Sequence, residues 1–171
     1  MFNRGQTHQT ETWRDADRHL KRVTDGRLET HVFKPANQDE WRMMVLDRAR
    51  KIRTDIDRTN LLRIGHFSDW FSLSHALARP VGPYQLVALA TAPDMPKPVA
   101  RCRWYELTRD EVASHLCWST ILRLPLVITD ASNLVQWQVT AVDTRTQPGS
   151  TFDIDDAGFV HINANEEIQS D

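Results

Sequence analysis

Five of the eight prolines in this 171-residue chain lie between positions 80 and 98, and they constrain its fold more than any other feature. Proline removes a backbone donor and clashes with the preceding helical turn, so neither a helix nor a central strand runs unbroken through that stretch. Arg79-Pro80-Val81-Gly82-Pro83 ends whatever precedes it, and Pro93 to Pro98 reads as a stiff exposed connection. Between them lies an apolar run of strand length, Tyr84 to Ala92.

The two sides of this barrier differ in pattern. Before it, Trp13, Ala16, Leu20 and Val23 recur at helical spacing, from a start near Thr10 or Thr12 to a stop at Asp25-Gly26. Arg27 to Lys34 reads as a strand ending at Pro35. Asn37-Gln38-Asp39-Glu40 has the form of a helix cap, and the spacing of Trp41, Val45, Ala49, Ile52 and Ile56 predicts a long helix over 37–58. Ser68 caps another, carrying Trp70, Phe71, Leu73, Ala76, Leu77 and Ala78.

Beyond the prolines, Val99 to Glu106 alternates as a strand does. Thr108 and Glu111 form a second capping box, predicting a helix through Val112, Ala113 and Leu116. Ile121 to Thr129 and Leu134 to Val142 read as strands joined by Asp130-Ala131-Ser132-Asn133. A final hairpin, Thr151 to Asp155 with Phe159 to Asn163, turns at Asp156-Ala157-Gly158. Helices first and strands later predict an α+β fold: a mostly antiparallel sheet of about five or six strands with helices packed on one face.

With 40% hydrophobic and 26% charged residues, the chain has the make-up of a globular protein rather than a collagen or a disordered tail. Its length suits one domain, 1–171, with 79–83 as the place for any subdivision into a helix-rich N-terminal part and a strand-rich C-terminal part, and 164–171 as an acidic tail. No apolar run approaches the roughly 18 residues of a membrane-spanning helix, so no membrane partner is expected. Cys102 and Cys117 are too few for a disulfide framework, which makes a reducing compartment the simpler expectation while leaving one bond open. Met1 to Gln6 leads into polar residues rather than a signal-like apolar segment, and the expected location is cytoplasmic.

Charge is uneven. Residues 1–63 carry 14 basic against 10 acidic side chains, whereas residues 64–171 carry 7 against 13. The basic excess centres on Arg48-Ala49-Arg50-Lys51-Ile52-Arg53, where Arg48, Arg50 and Arg53 are candidates for phosphate contacts. On the predicted helix that charge splits to both sides of the apolar stripe and pairs with Asp47, Asp55 and Asp57, so a self-paired, solvated element is the plainer expectation. Arg101, Arg103 and Tyr105 alternate along one strand face, a shape that suits base stacking. Leu107 to Arg123 partly fits a helix-turn-helix, but Pro125 truncates the second helix.

Chemistry leaves fainter traces. His66 and Asp69, beside Ser68 and followed by His75, are the candidate catalytic residues of a small hydrolase, although Ser68 and Asp69 also serve as a helix start. His115 and Cys117 lack a second ligand pair for zinc, and Asp153 to Gly158 lacks the oxygen ligands that complete a calcium loop. No metal, cofactor or phosphate-loop motif is expected. Of six tryptophans, Trp41, Trp70, Trp104 and Trp137 fall on predicted inward faces, leaving Trp13 and Trp118 as candidate anchors for a partner. The combined expectation is a small non-enzymatic binding or regulatory protein of bacterial type that acts through a surface, with a protein partner ahead of nucleic acid and hydrolysis third.

Overall fold

The computed structural model describes residues 7–16, 18–35, 40–63, 70–75, 77, 80, 82–93 and 97–169. In chain order the described elements are β1 (Thr10–Asp15), β2 (His19–Thr24), β3 (Leu28–Phe33), β4 (Arg42–Asp47), β5 (Ile52–Asp57), α1 (Arg58–Arg63), α2 (Trp70–His75), β6 (Gln85–Ala88), β7 (Arg103–Arg109), β8 (Val112–Ser119), β9 (Leu124–Asp130), β10 (Val135–Gln138), a 3₁₀ turn (Gly149–Phe152), β11 (Val160–Asn163) and α3 (Ala164–Gln169). They form two compact units, one of residues 1–70 and 147–171, the other of residues 71–146.

The first unit is a six-stranded sheet in the order β1-β2-β3-β4-β5-β11, antiparallel throughout except for β11, which runs parallel to β5. Leu20, Val32, Met43 and Ile56 are buried on one face, and Met44 and Leu46 on the other. The second unit is a five-stranded antiparallel sheet, β10-β9-β8-β7-β6. Trp104, Cys117 and Val127 form its buried cluster, with Leu89 and Cys102 packed against it, and Cys102 is disulfide-bonded to Cys117.

This overturns the α+β expectation. The described residues are predominantly β, with short helices only, and no layer of helices packs on a sheet face. The region expected to be a first helix is the β1–β2 hairpin, and Asp25-Gly26, read as a helix stop, is the turn into β3. Asp25 (φ 53°) and Gly26 (φ 64°) are both left-handed, within the three-residue turn 25–27 that reverses the chain between Thr24 and Leu28. The predicted long helix 37–58 is the β4–β5 hairpin over its described part. Asp47 accepts hydrogen bonds from the backbone of Ala49 and Arg50 at 3.0 Å each, and Lys51 turns at φ 54°, so a side chain competes for the amides a helix needs.

The same misreading recurs at Thr108 to Leu116, where β7 and β8 pair through Asp110 (φ 50°) and Glu111 (φ 62°). The helix-turn-helix reading falls with it. Phe159 to Asn163 supplies a strand as expected, but its partner is β5 rather than Thr151 to Asp155, part of which is the 3₁₀ turn. In the segment read as a tail, α3 docks instead: Asn165 Oδ1 accepts from the Asp57 amide and from Asn60 Nδ2, both at 2.8 Å.

Two substitutions separate core from turn. Leu46→Ala is expected to lower the unfolding free energy by roughly 2–5 kcal/mol through lost burial and an unfilled cavity. Glu111→Gly is expected to raise it by up to about 1 kcal/mol, because glycine meets no Cβ penalty at positive φ. Urea titration of both variants checks the pair of signs, and a stabilised Leu46→Ala would refute the assigned core.

Candidate functional site

The basic stretch singled out in the sequence lies in and beside the β4–β5 turn, and its arginines are engaged. Arg48 donates from Nη2 and Nε to Glu29 Oε2 at 2.7 and 2.9 Å. Arg50 approaches Asp47 at 3.8 Å, and Arg53 pairs with Asp55 at 2.8 Å and Asp156 at 2.6 Å. Those two carboxylates hold the Arg53 guanidinium still more firmly in its charged form. Of the acids expected to pair with this stretch, Asp47 and Asp55 do so, but Glu29 and Asp156 come from outside it.

Arg103 and Tyr105 do share a face of β7, with the guanidinium carbon 5.8 Å from the ring centroid, whereas Arg101 precedes the strand. Trp13 is half-buried on β1 with the Lys21 ammonium 5.7 Å from its ring centroid. Trp118 on β8 lies 6.5 Å from Phe71 and 6.2 Å from His75, centroid to centroid. His75 is buried on α2, 2.7 Å from the Ser74 hydroxyl. His66, Ser68 and Asp69 lie outside the described residues. Cys117 is spent in the disulfide, Asp156 is held by Arg53 and lies 3.4 Å from His161, and the described residues contain no group of three or more side chains placed to hold a metal.

Sequence reasoning missed a polar array on the β2–β3 face. His19, Lys21, Glu29, His31 and Phe33 project to the same side because the register sets His19 opposite Phe33 and Lys21 opposite His31. His31 Nε2 lies 2.7 Å from Glu29 Oε1, and His19 Nε2 lies 3.1 Å from His31 Nδ1. Glu29 and His31 are 4% and 0% exposed. A carboxylate only accepts, so His31 donates from Nε2. Its Nδ1 then accepts from His19, and His19 Nδ1 becomes the basic end of the chain.

The ionisation of the three groups follows from this arrangement. Burial pushes the Glu29 carboxyl up, but hydrogen bonds from His31 and Arg48 outweigh it, with Lys21 adding its charge, and the net shift is downward. Burial lowers His31 despite the opposing pull of Glu29. Burial, and then the neighbouring His31, lower His19 to about 4.

The array also holds the returning chain. Lys21 Nζ sits 3.3 Å from Glu29 and donates to the Thr151 carbonyl oxygen at 3.0 Å, Arg48 donates to the Asp155 carbonyl oxygen at 3.3 Å, and the Phe152 ring lies 4.6 Å from that of His19. Through these links the array has a structural role, latching segment 151–156 onto the sheet. A cleft of about 440 Å³ at the far end of the β1–β2 hairpin is lined by Gln9, Glu11, Val23, Asp25 and Gly26, and its Asp25 carboxylate already accepts from the Gln9 amide and pairs with His8.

The remaining candidate is backbone. A sheet edge displays unpaired donors and acceptors, which proteins commonly blunt with charge, irregularity or cover. Edge strand β1 carries Glu11, Arg14 and Asp15; β10 has a register shift between Val135 and Trp137; β11 is four residues long and runs straight into α3. β6 is as short as β11, but it carries no charge and no register shift, and no helix follows it directly. It reads Gln-Leu-Val-Ala, and Tyr84, Leu86 and Val87 are 54%, 49% and 45% exposed. No family model, curated protein or solved structure matches the chain.

The histidine pair makes a testable demand on pH. Both imidazoles are more easily protonated in the unfolded chain, where the ordinary value is 6.5, than in the fold. Their contribution to stability is complete above 6.5 and is lost as pH falls from there toward about 4. Glu29 adds its own loss only below its ordinary 4.5. Urea midpoints are expected to fall between pH 7.5 and 5, and His19→Gln is expected to flatten that slope; an unchanged slope would remove His19 from the linkage.

Proposed function

We propose that this chain is a small non-enzymatic binding or regulatory protein that engages a protein partner through the β6 edge. The observation that carries the reading is that β6 alone among the four described edge strands is uncharged, unbulged and apolar on both faces. An exposed edge recruits another extended segment by main-chain hydrogen bonds, while alternate side chains supply selectivity. Leu86 and Val87 project to opposite faces and flank such a segment from both sides.

Nucleic acid is the second reading, supported by Arg103 over Tyr105, an arrangement that can extend a stack to a base. The two readings separate in one experiment. Tagged protein incubated with host lysate is expected to retain a partner after nuclease treatment and to lose it on the double substitution Leu86→Lys and Val87→Lys. Retention that nuclease abolishes, together with loss on Arg103→Ala and Tyr105→Ala, would transfer the function to nucleic acid.

Among the described residues no helix is long and apolar enough to cross a membrane. The cytoplasmic placement belongs to the same proposal and carries its own test, because disulfides persist in oxidising compartments and are rare in the cytosol. The bond between Cys102 and Cys117 weighs against that placement, which requires both to alkylate as free thiols in acid-quenched cells. Protection of both until a reductant is added would place the protein in an oxidising compartment with the bond intact.

A further inference from the structure

Resting on that binding reading, we infer that the strand added to β6 is β6 of a second copy of this chain, paired antiparallel about a two-fold axis at Leu86. The backbone sets the register. The Leu89 amide donates to the Trp104 carbonyl oxygen at 3.0 Å, continuing the β6–β7 register. Hydrogen-bonding direction alternates along a strand, so Val87 and Gln85 also bond toward β7, while Leu86 and Ala88 present their N–H and C=O groups outward. Tyr84, extending the alternation by two residues, presents its own groups outward as well.

The outward groups of Tyr84, Leu86 and Ala88 are symmetric about Leu86. Placing Leu86 opposite its own copy sets Tyr84 opposite Ala88 on both sides of the axis and forms about six main-chain hydrogen bonds. Shifting the axis to Val87 sets Tyr84 opposite Ala90, where the chain already bends, and loses a third of them. Pro83, which has no amide hydrogen, closes the other end.

Charge selects the occupant. No Asp, Glu, Lys, Arg or His occurs from Tyr84 to Pro93, so two copies meet with no like charges opposed. The same neutrality offers a foreign strand no electrostatic code by which to be chosen, whereas the two-fold operation matches the apolar Leu86 to itself automatically. The pairing involves only about five residues from each copy, well below the roughly 20–30 residues a side of a stable interface, so the dimer is weak and forms reversibly.

Sedimentation velocity on the full chain, from low micromolar to millimolar protein, is expected to show monomer passing to dimer, and Leu86→Lys is expected to leave monomer at every concentration with an unchanged melting temperature. The register is read by oxidation. With the axis at Leu86, Gln85 stands about 4.5 Å (Cα to Cα) from the second copy's Val87, within disulfide range. Gln85→Cys protein mixed with Val87→Cys protein is therefore expected to cross-link, and neither is expected to do so alone. Monomer throughout, a dimer indifferent to Leu86→Lys, or cross-linking of Val87→Cys alone would each overturn the inference. If the wild type stays monomeric yet still retains a lysate protein that the Leu86→Lys and Val87→Lys variant loses, self-pairing falls and the binding reading stands. Both fall if those substitutions change neither measurement.

Discussion

The first unit depends on a buried carboxylate. An ion taken out of water costs several kcal/mol unless its lone pairs are matched by donors, and Glu29 is matched on every side: Arg48 from the β4–β5 turn, Lys21 from β2 and His31 from its own strand. Each donor then holds something else. Arg48 and Lys21 reach the carbonyl groups of Asp155 and Thr151, and His31 passes a hydrogen bond to His19, whose ring packs against Phe33 and Phe152. Greasy packing is indifferent to direction, but hydrogen bonds are not, so this network determines where the returning segment lies on the sheet. It also makes that segment's attachment sensitive to acid.

The second unit solves the same problem with apolar burial and a covalent cross-link. Trp104, Cys117 and Val127 are packed together, and the disulfide ties Cys102 to the strand beyond. Buried charge has no comparable part in this cluster. The consequence lies at the rim: β10 is made irregular by its register shift, whereas β6 keeps a regular, neutral edge. Edge strands of that kind are an aggregation hazard unless something uses them, and the functional reading follows from that tension.

Strands with composition to match were legible in the sequence. The segments expected near Arg27 to Lys34, Tyr84 to Ala92 and Ile121 to Thr129 contain β3, β6 and most of β9, and the Asp130 turn joins β9 to β10, with the Asp130 carboxylate accepting from Ser132 and Leu134. Three of the expected helices, near 10–24, 37–58 and 108–116, failed for one shared reason, whereas the one expected after Ser68 is present as α2 over Trp70–His75. Ile52 and Ile56, or Leu20 and Val23, fit a helical stripe and a strand equally over so short a span. What decides between them is the left-handed turn at Asp25-Gly26, Lys51 or Asp110-Glu111. Asp-Gly carries that signal openly, yet the same dipeptide also fits a helix stop. The histidine array was hidden by the same error, since the every-second-residue rows His19-Lys21 and Glu29-His31-Phe33 share one face only when both segments are strands in register.

The sequence by itself determined where the chain must break, how little charge the Tyr84 to Pro93 stretch carries, and that Leu86 and Val87 face opposite ways on any strand they form, because these follow from covalent structure and alternation. Only the tertiary structure decided that β6 lies at an edge, that Arg48 and Arg53 are occupied by acids distant in sequence, and that His19 meets His31. Those facts depend on which strand neighbours which. Strand order is selected by burial and hydrogen bonding summed over the whole sheet, and no local window of residues contains that sum.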